Sequence, residues 1–372
     1  MIDLDERFDE SRVVRCTRCL YPNTKPDLHF DEKGVCSACR AFDKRKLTNW
    51  ALREAEFHEV LKSGKNDSGY DCIVPSSGGK DSHWQVLKLI ALGARPLVVT
   101  ATTCHLTETG RRNIDNLARY ATTIEVTPNR TARKKLNRLG LQLVGDISWP
   151  EHVAIFTTPF NVACQLGIPL IFYGECPQEA YGGPPGTEDA RQMTARWVSE
   201  FGGFNGLRPA DMVGKEGLTA ADMRDYQPPP DEAVRRVGVR AYFLGQFFEW
   251  ISSRNAQVAV DHGMEAGRPG PANHWSHENL DNAQTGLHDY FMYRKFGFGR
   301  ACAQLSMDIR WGVRDRRDAA EKVLRYLDGR FPAVYGGVTA RDALADIGVT
   351  MDELCRLVAR FTNRDLWPSL DA

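Results

Sequence analysis

Pro75-Ser76-Ser77-Gly78-Gly79-Lys80-Asp81-Ser82 is the stretch whose reading decides the fold. The residues before it, Tyr70-Asp71-Cys72-Ile73-Val74, read as a buried strand. His83 to Leu92, after it, carries apolar Trp84, Leu87 and Ile90 and reads as an amphipathic helix. Strand, Gly-rich turn and helix in that order present backbone N–H groups and a helix N-terminus to a phosphate. Gly78 and Gly79 allow close approach and positive φ. Lys80 adds a charge, and Ser77 and Ser82 add short donors. A Walker A loop does not fit. It needs Gly five places before the Gly-Lys pair and Ser or Thr directly after the Lys, where this chain has Val74 and Asp81.

Outward from the loop, strand and helix patterns alternate. Pro96 to Ala101, Thr122 to Val126 and Ile168 to Tyr173 read as further strands, with helical spacing between them at Ile114, Leu117 and Ala118. The expected fold is α/β, a doubly wound parallel sheet. Ligands of such sheets bind beyond the carboxyl ends of the strands. The loop, Thr102-Thr103-Cys104-His105 and Gly174-Glu175-Cys176 should therefore share one rim. Ser76 to Ser82, Thr100 and Gly174 are the candidate nucleotide-binding residues. Lys80, Asp81, Glu175, His105, Cys104 and Cys176 are the candidate catalytic ones.

Upstream, Cys16-Thr17-Arg18-Cys19 and Cys36-Ser37-Ala38-Cys39 have the paired spacing of a four-thiolate zinc ribbon, with Asp31-Glu32-Lys33-Gly34 as the turn between. Such a site is closed, so a structural role is expected. An iron–sulfur cluster is the alternative metal reading. The expected organisation is a ribbon over 1–45, a helix and linker over 46–69, and the α/β core over 70–176. A Pro- and Gly-rich irregular insertion or lid follows over 177–236, with Gly182-Gly183-Pro184-Pro185-Gly186 and with Trp197, Phe201 and Phe204 in it. Residues 237–372 complete the sheet, with a strand-like aromatic stretch from Val237 to Trp250, and continue as a mainly helical region.

The composition excludes little. In 372 residues, Lys plus Arg equals Asp plus Glu, which argues against a strongly electrostatic grip on nucleic acid. The acidic start, Met1-Ile2-Asp3-Leu4-Asp5-Glu6, has no apolar segment of a signal peptide, and no apolar run is long enough to cross a bilayer. A cytoplasmic protein without membrane partners is expected. A homo-oligomer stays open.

The loop resembles the S-G-G-x-D-S loop of the PP-loop ATP pyrophosphatases, which holds the pyrophosphate half of ATP. With the ribbon included, the chain from about residue 14 to 366 resembles the N-acetyl sugar amidotransferases of bacterial surface-glycan biosynthesis, including lipopolysaccharide and pseudaminic-acid-type sugars. The resemblance extends to Gly145-Asp146-Ile147-Ser148-Trp149-Pro150-Glu151-His152, Gly174-Glu175-Cys176-Pro177-Gln178, Glu278-Asn279-Leu280-Asp281-Asn282, Thr285-Gly286-Leu287-His288-Asp289-Tyr290 and Lys295-Phe296-Gly297-Phe298-Gly299-Arg300-Ala301. It implies that an amide oxygen attacks the α-phosphate of ATP, pyrophosphate leaves, and ammonia then displaces AMP to give an acetamidino group. It also implies Mg²⁺ and a separate, HisH-like class I glutaminase subunit as the ammonia source. On this reading Lys80 steadies the developing charge, and Asp81 holds Mg²⁺ or braces the loop. Glu175 holds Mg²⁺ or acts as a base. His105 transfers a proton. His152, Lys295 and Arg300 contact the acceptor.

The rival is sulfur transfer. Some PP-loop enzymes place a cysteine pair on this rim to carry a persulfide, and Cys104 and Cys176 follow strands here. Thiolation of a small molecule or of tRNA is therefore the alternative function.

Overall fold

In the computed structural model, residues 3–183, 192–193, 197–198, 202–316 and 320–368 are described. Met1, Ile2, Pro184, Pro185, Gly186 and Phe201 lie outside these residues. Helices α1 (Ser37–Arg45) and α2 (Trp50–Lys62) lead into strand β1 (Cys72–Pro75) and helix α3 (Lys80–Ala91). Strand β2 (Pro96–Ala101), helix α4 (Glu108–Leu117) and strand β3 (Thr123–Val126) follow. Next come α5 (Arg130–Val144), α6 (Trp149–Leu166), β4 (Leu170–Tyr173) and α7 (Pro177–Tyr181). The sheet is completed by β5 (Gln192–Met193), α8 (Asp231–Val237) and β6 (Arg240–Phe243).

The strand order is β3-β2-β1-β4-β6-β5, parallel except for β5, which runs antiparallel to β6 at the edge. The expected parallel α/β sheet is observed. Chain direction across the sheet reverses between β1 and β4, so the crevice at their carboxyl ends is the topological switch point. Both strands feed it, β1 through the loop and β4 through Gly174-Glu175. Helices cover both faces, with Phe57, Val86 and Leu89 packing on one and Val162 and Ala163 on the other.

Two local expectations are corrected. Helix α3 buries His83, Val86 and Leu89, while Ile90 is 39% exposed and Trp84 and Leu87 are half-buried. Its inward seam is set by where Gly79 starts the helix, one turn earlier than the apolar pattern suggests. The aromatic stretch from Val237 to Trp250 is a strand only over β6. Phe247, Phe248 and Trp250 then turn back under the sheet beside Phe57, so their apolarity reflects burial rather than strand pairing.

The ribbon does not stand apart. Its cysteines, Leu20 and Leu28 share one core with Phe298, Ala301, Cys302 and Leu305 from the C-terminal region. That region contains α9 (Ser252–Asp261), which packs on α3, then α10 (Thr285–Phe296), α11 (Arg300–Arg310) and α12 (Glu321–Leu327). A short hairpin, β7 (Val334–Tyr335) and β8 (Val338–Thr339), precedes α13 (Ala340–Asp346) and α14 (Met351–Phe361). In the insertion, Met212, Leu218, Met223 and Tyr226 pack against Leu136, Trp149 and Val153 of α5 and α6. This fastens that part of the insertion to an outer face and leaves it little freedom to act as a lid. Among the described residues no helix is long and apolar enough to cross a membrane.

Candidate active site

The loop is braced from within. Ser76 Oγ accepts from the Gly78 N–H at 3.0 Å, and the Ser76 N–H donates to Val99 O at 2.9 Å. Gly78 has φ +80°, and a Cβ there would lie 2.9 Å from Ile114 N, so a side chain would both strain the backbone and collide with α4. Beneath the loop, buried His83 reaches Gly79 O at 3.0 Å through Nδ1 and Asn116 Nδ2 at 3.0 Å through Nε2. This ties α3 to α4. No side chain caps α3 at Gly79. Its first-turn N–H groups are thus left to the cavity that Lys80, Asp81 and Ser82 line, the arrangement an anion needs.

That cavity has a volume of about 190 Å³. Its opposite wall comes from His277 to Asp281 and Arg300, and Glu175 and Tyr181 close a third side. The distant wall is held by backbone pairing. Thr107 N donates to Asp281 O at 3.0 Å, Ala283 N donates to His105 O at 3.0 Å, and Thr107 Oγ1 bonds Leu280 O. Gly110 is required for this approach, because a Cβ there would sit 2.6 Å from Asp281 Cα. Gln304 of α11 fixes the other end, donating to Glu278 Oε2 at 2.7 Å and accepting from His274 N at 2.6 Å.

The charges interlock. Lys80 Nζ lies 2.7 Å from Asp81 Oδ2 and 2.8 Å from Glu278 Oε1. Burial alone would favour neutral Lys80, but Asp81, Glu278 and Glu175 around it raise its pKa above the ordinary lysine value. Burial likewise works against ionised Glu278, yet Lys80 and Arg300 hold it down to about 2. Glu175 goes the other way. Burial and the Asp81 charge push it up to about 7, although Tyr181 Oη donates to it at 2.7 Å. Burial also pushes Asp281 up to about 6. Arg300 is oriented by buried Asp289, at 2.8 Å from Oδ1 and 3.2 Å from Oδ2. One cavity thus contains a carboxylate fixed as an anion and another poised to exchange a proton near neutrality.

A second cavity of about 360 Å³ adjoins the first, sharing Ser77, Asp81, Ser82, Glu175 and Asp281 with it. Val99, Ala101, Phe156, Tyr173 and Gly174 give it apolar walls. Thr100 lies between two of these wall residues on β2, and alternation turns its buried side chain to the other face of the sheet.

The other candidates from the sequence are placed elsewhere. Lys295 lines neither cavity: its Nζ donates to Val144 O and, at 3.1 Å, to Gly145 O, capping the C-terminus of α5. His105 Nε2 lies 3.2 Å from Asp346 Oδ2 and lines neither cavity. His152 joins His288 around buried Asp146, at 3.1 and 2.8 Å from its two oxygens, and also lines neither. Cys104 donates its N–H to Glu151 Oε1 at 3.3 Å, and burial together with Glu151 pushes its thiol up to about 11. Cys176 is buried beside Gln178, against Trp250 and Arg310. The two cysteines have separate surroundings, and at Cys104 burial and Glu151 outweigh the pull of Arg133 and Lys134 towards a thiolate.

The ribbon cysteines do converge. Cys16 and Cys39 Sγ are 4.0 Å apart, Cys19 and Cys36 Sγ are 3.6 Å apart, and all four are buried within 4.8 Å of one another. A tetrahedral zinc with bonds of about 2.3 Å sets sulfurs about 3.8 Å apart. The cluster is compatible with a structural zinc ion.

Glu278, Asp281, Asn279 and Arg300 thus complete a cavity begun two hundred residues earlier, and they belong to one continuous C-terminal segment. Residues 272–371 match the family model described as "LPS biosynthesis protein WbpG-like, C-terminal domain". The match supports a role in glycan biosynthesis. No curated protein matches the chain. The matched stretch contributes the far wall of the cavity, while the loop and Glu175 lie outside it.

Of the site residues, Glu278 and Asp281 were visible in the sequence only as part of a family resemblance, with no role attached. Asp289 stood in the same position, inside a stretch of that resemblance, whereas Tyr181, Gln304 and His83 gave no signal. A carboxylate in a polar loop looks like any solvated charge until a buried lysine is found 2.8 Å away.

Proposed function

We propose that the protein is an ATP-dependent amidotransferase. It adenylates the carbonyl oxygen of an N-acetyl group on a sugar or nucleotide sugar and replaces that oxygen with ammonia-derived nitrogen. The observation that carries this reading is the buried Lys80 between Asp81 and Glu278, at the open N-terminus of α3 in the switch-point crevice. The loop N–H groups and Lys80 suit a pyrophosphate leaving group. The adjoining apolar cavity suits an adenosine.

Among the described lining residues of this cavity, Asp81, Glu175, Glu278 and Asp281 face only the cations Lys80 and Arg300. A polyphosphate would be repelled there without a divalent cation, and Asp81 beside the loop is the carboxylate that would hold Mg²⁺, which would neutralise phosphate charge. In the first half-reaction the amide oxygen forms a bond to the α-phosphorus and the bond to pyrophosphate breaks. In the second, ammonia adds to the imidate carbon, AMP leaves with the oxygen, and the nitrogen gives up a proton. Glu175, poised near neutrality, is the group to accept it. Arg300 contacts the acceptor, and a separate class I glutaminase supplies the ammonia.

The test is a mass-spectrometric screen of N-acetylated nucleotide sugars with ATP, Mg²⁺ and ammonium. The expected product is one mass unit lighter than its substrate (=O becomes =NH), with AMP and pyrophosphate in equal amounts. Pyrophosphate release with no lighter product, or a product only with a sulfur donor, refutes amidination. A Cys104→Ser, Cys176→Ser double variant should keep amidination within a few-fold, whereas persulfide transfer would collapse.

A further inference from the structure

Glu175 borders a second opening. Beside it lies a narrow space of about 40 Å³, bounded by Cys176, Ala180, Met307 and Arg310. Phe42, Arg45, Trp250 and Trp311 wall this space and also wall a surface cleft of about 530 Å³ edged by Lys46, Trp50 and Arg254. Glu175 is in turn common to the narrow space and the loop cavity. Cleft, neck and reaction cavity therefore adjoin through shared walls, with Glu175 at the inner joint.

Size and charge select what could use such a path. The neck holds a water-sized molecule or two and excludes a nucleotide or a sugar. Its walls are aromatic and cationic. Arg310 is buried, donates to Ala180 O at 2.6 Å and lies over the Tyr21 ring, and Arg45 stacks 5.1 Å from the Trp50 ring centre. Among the described lining residues, the only carboxylate outside Glu175 is Glu249, which is paired with Arg254 at 3.0 Å. A cationic wall disfavours ammonium and leaves neutral ammonia unhindered, and neutral ammonia is the nucleophilic form.

We propose that this passage is a second entrance, through which neutral ammonia reaches Glu175 while ATP and acceptor fill the loop cavity. The proposal rests on the amidotransferase reading for its ligand, but the passage itself is testable without an acceptor. It gives the ribbon a task beyond its own fold, since Phe42 and Arg45 of α1 form part of the wall.

Cys176 lines the neck and reports on it. Methyl methanethiolsulfonate is small and neutral. Its reaction with a thiolate forms a methyl disulfide and releases methanesulfinate, which peptide mass analysis reads at each cysteine. In the intact chain saturated with Mg²⁺ and ATP, Cys176 should still be labelled. Ala180→Phe and Met307→Trp, two plugs on different helices, should slow labelling at least tenfold with unchanged thermal melting, and Trp311→Ala should speed it several-fold. Protection of Cys176 by ATP, equal labelling in plugged and unplugged chains, or no labelling in the native chain would each overturn the passage. Once an acceptor is known, both plugs should depress ammonium-dependent amidination at least tenfold and leave pyrophosphate release within twofold. An equal fall in both half-reactions overturns the passage and leaves the amidotransferase reading standing. A screen that finds no amidinated product overturns the ammonia assignment without touching the labelling result.

Discussion

The cysteine cluster and the loop cavity are both polar centres built at the joins of this fold, and they are assembled in opposite ways. The cluster takes all its donors from residues 16–39, is sealed from solvent, and leaves no position open. The cavity draws on the loop, on Glu175 and on residues 277–300, and it stays open. A closed thiolate set converts metal affinity into folding free energy. An open set of opposed charges leaves part of its electrostatic field for a ligand. The two are mechanically joined, because α11 carries Cys302 and Leu305 into the ribbon core and Arg300 and Gln304 into the cavity wall.

The contrast can be broken most directly at Lys80. Lys80→Met leaves Glu278 and Asp81 without their buried partner. We expect pyrophosphate formation to fall about 10³-fold and stability to drop by about 3–5 kcal/mol, with zinc content unchanged. Steady-state assays, chemical denaturation and metal analysis check this. Cys36→Ser tests the closed centre. Zinc should fall from one ion per chain towards none, with a stability loss of more than about 4 kcal/mol, and loosening of α11 should show as faster amide exchange there. If activity survives full zinc loss, the mechanical link fails.

Glu278→Gln should cost about 10²-fold in pyrophosphate formation, because Lys80 loses one of its two anchors while its charge remains. Glu175→Gln sharpens the comparison through pH. With Glu175 raised from 4.5 to about 7, amidination measured at a fixed concentration of neutral ammonia should fall about tenfold per unit as pH drops below 7, because the base is then protonated. The variant should be slower and lose that limb. Stability runs the other way. The folded chain holds this proton more tightly than the unfolded chain, so Glu175 favours folding at low pH, and that contribution is lost as pH rises from about 4.5 through about 7. Glu175→Gln should flatten that part of the stability curve. Lys295→Met should have the smallest effect: activity within twofold, and about 1 kcal/mol lost from its carbonyl contacts at the end of α5.

Much of the fold was legible because its signals are local. The order of strands and helices from β1 to β4 follows apolar runs punctuated by glycine, and the ribbon follows from two cysteine pairs. The seam of α3 was misread because spacing identifies a helix but not which residue faces the sheet, and the start at Gly79 decides that. Lys295 and Arg300 looked alike in a glycine- and aromatic-rich stretch. They lie five positions apart, and a helix boundary sends one to cap α5 and the other to Asp289 and the cavity. His105 and Thr100 sit on the expected rim segments, yet their side chains are turned away from the cavities.

By itself the sequence determined the phosphate-type turn, the parallel α/β core that carries it and the four-thiolate cluster, because each depends on residues a few positions apart. Only the tertiary structure decided which carboxylates face Lys80, why Glu175 and Glu278 are displaced in opposite directions, and that α11 joins cluster to cavity. Those depend on burial and on charges brought within 3 Å across nearly two hundred residues of chain. No local pattern encodes such distances.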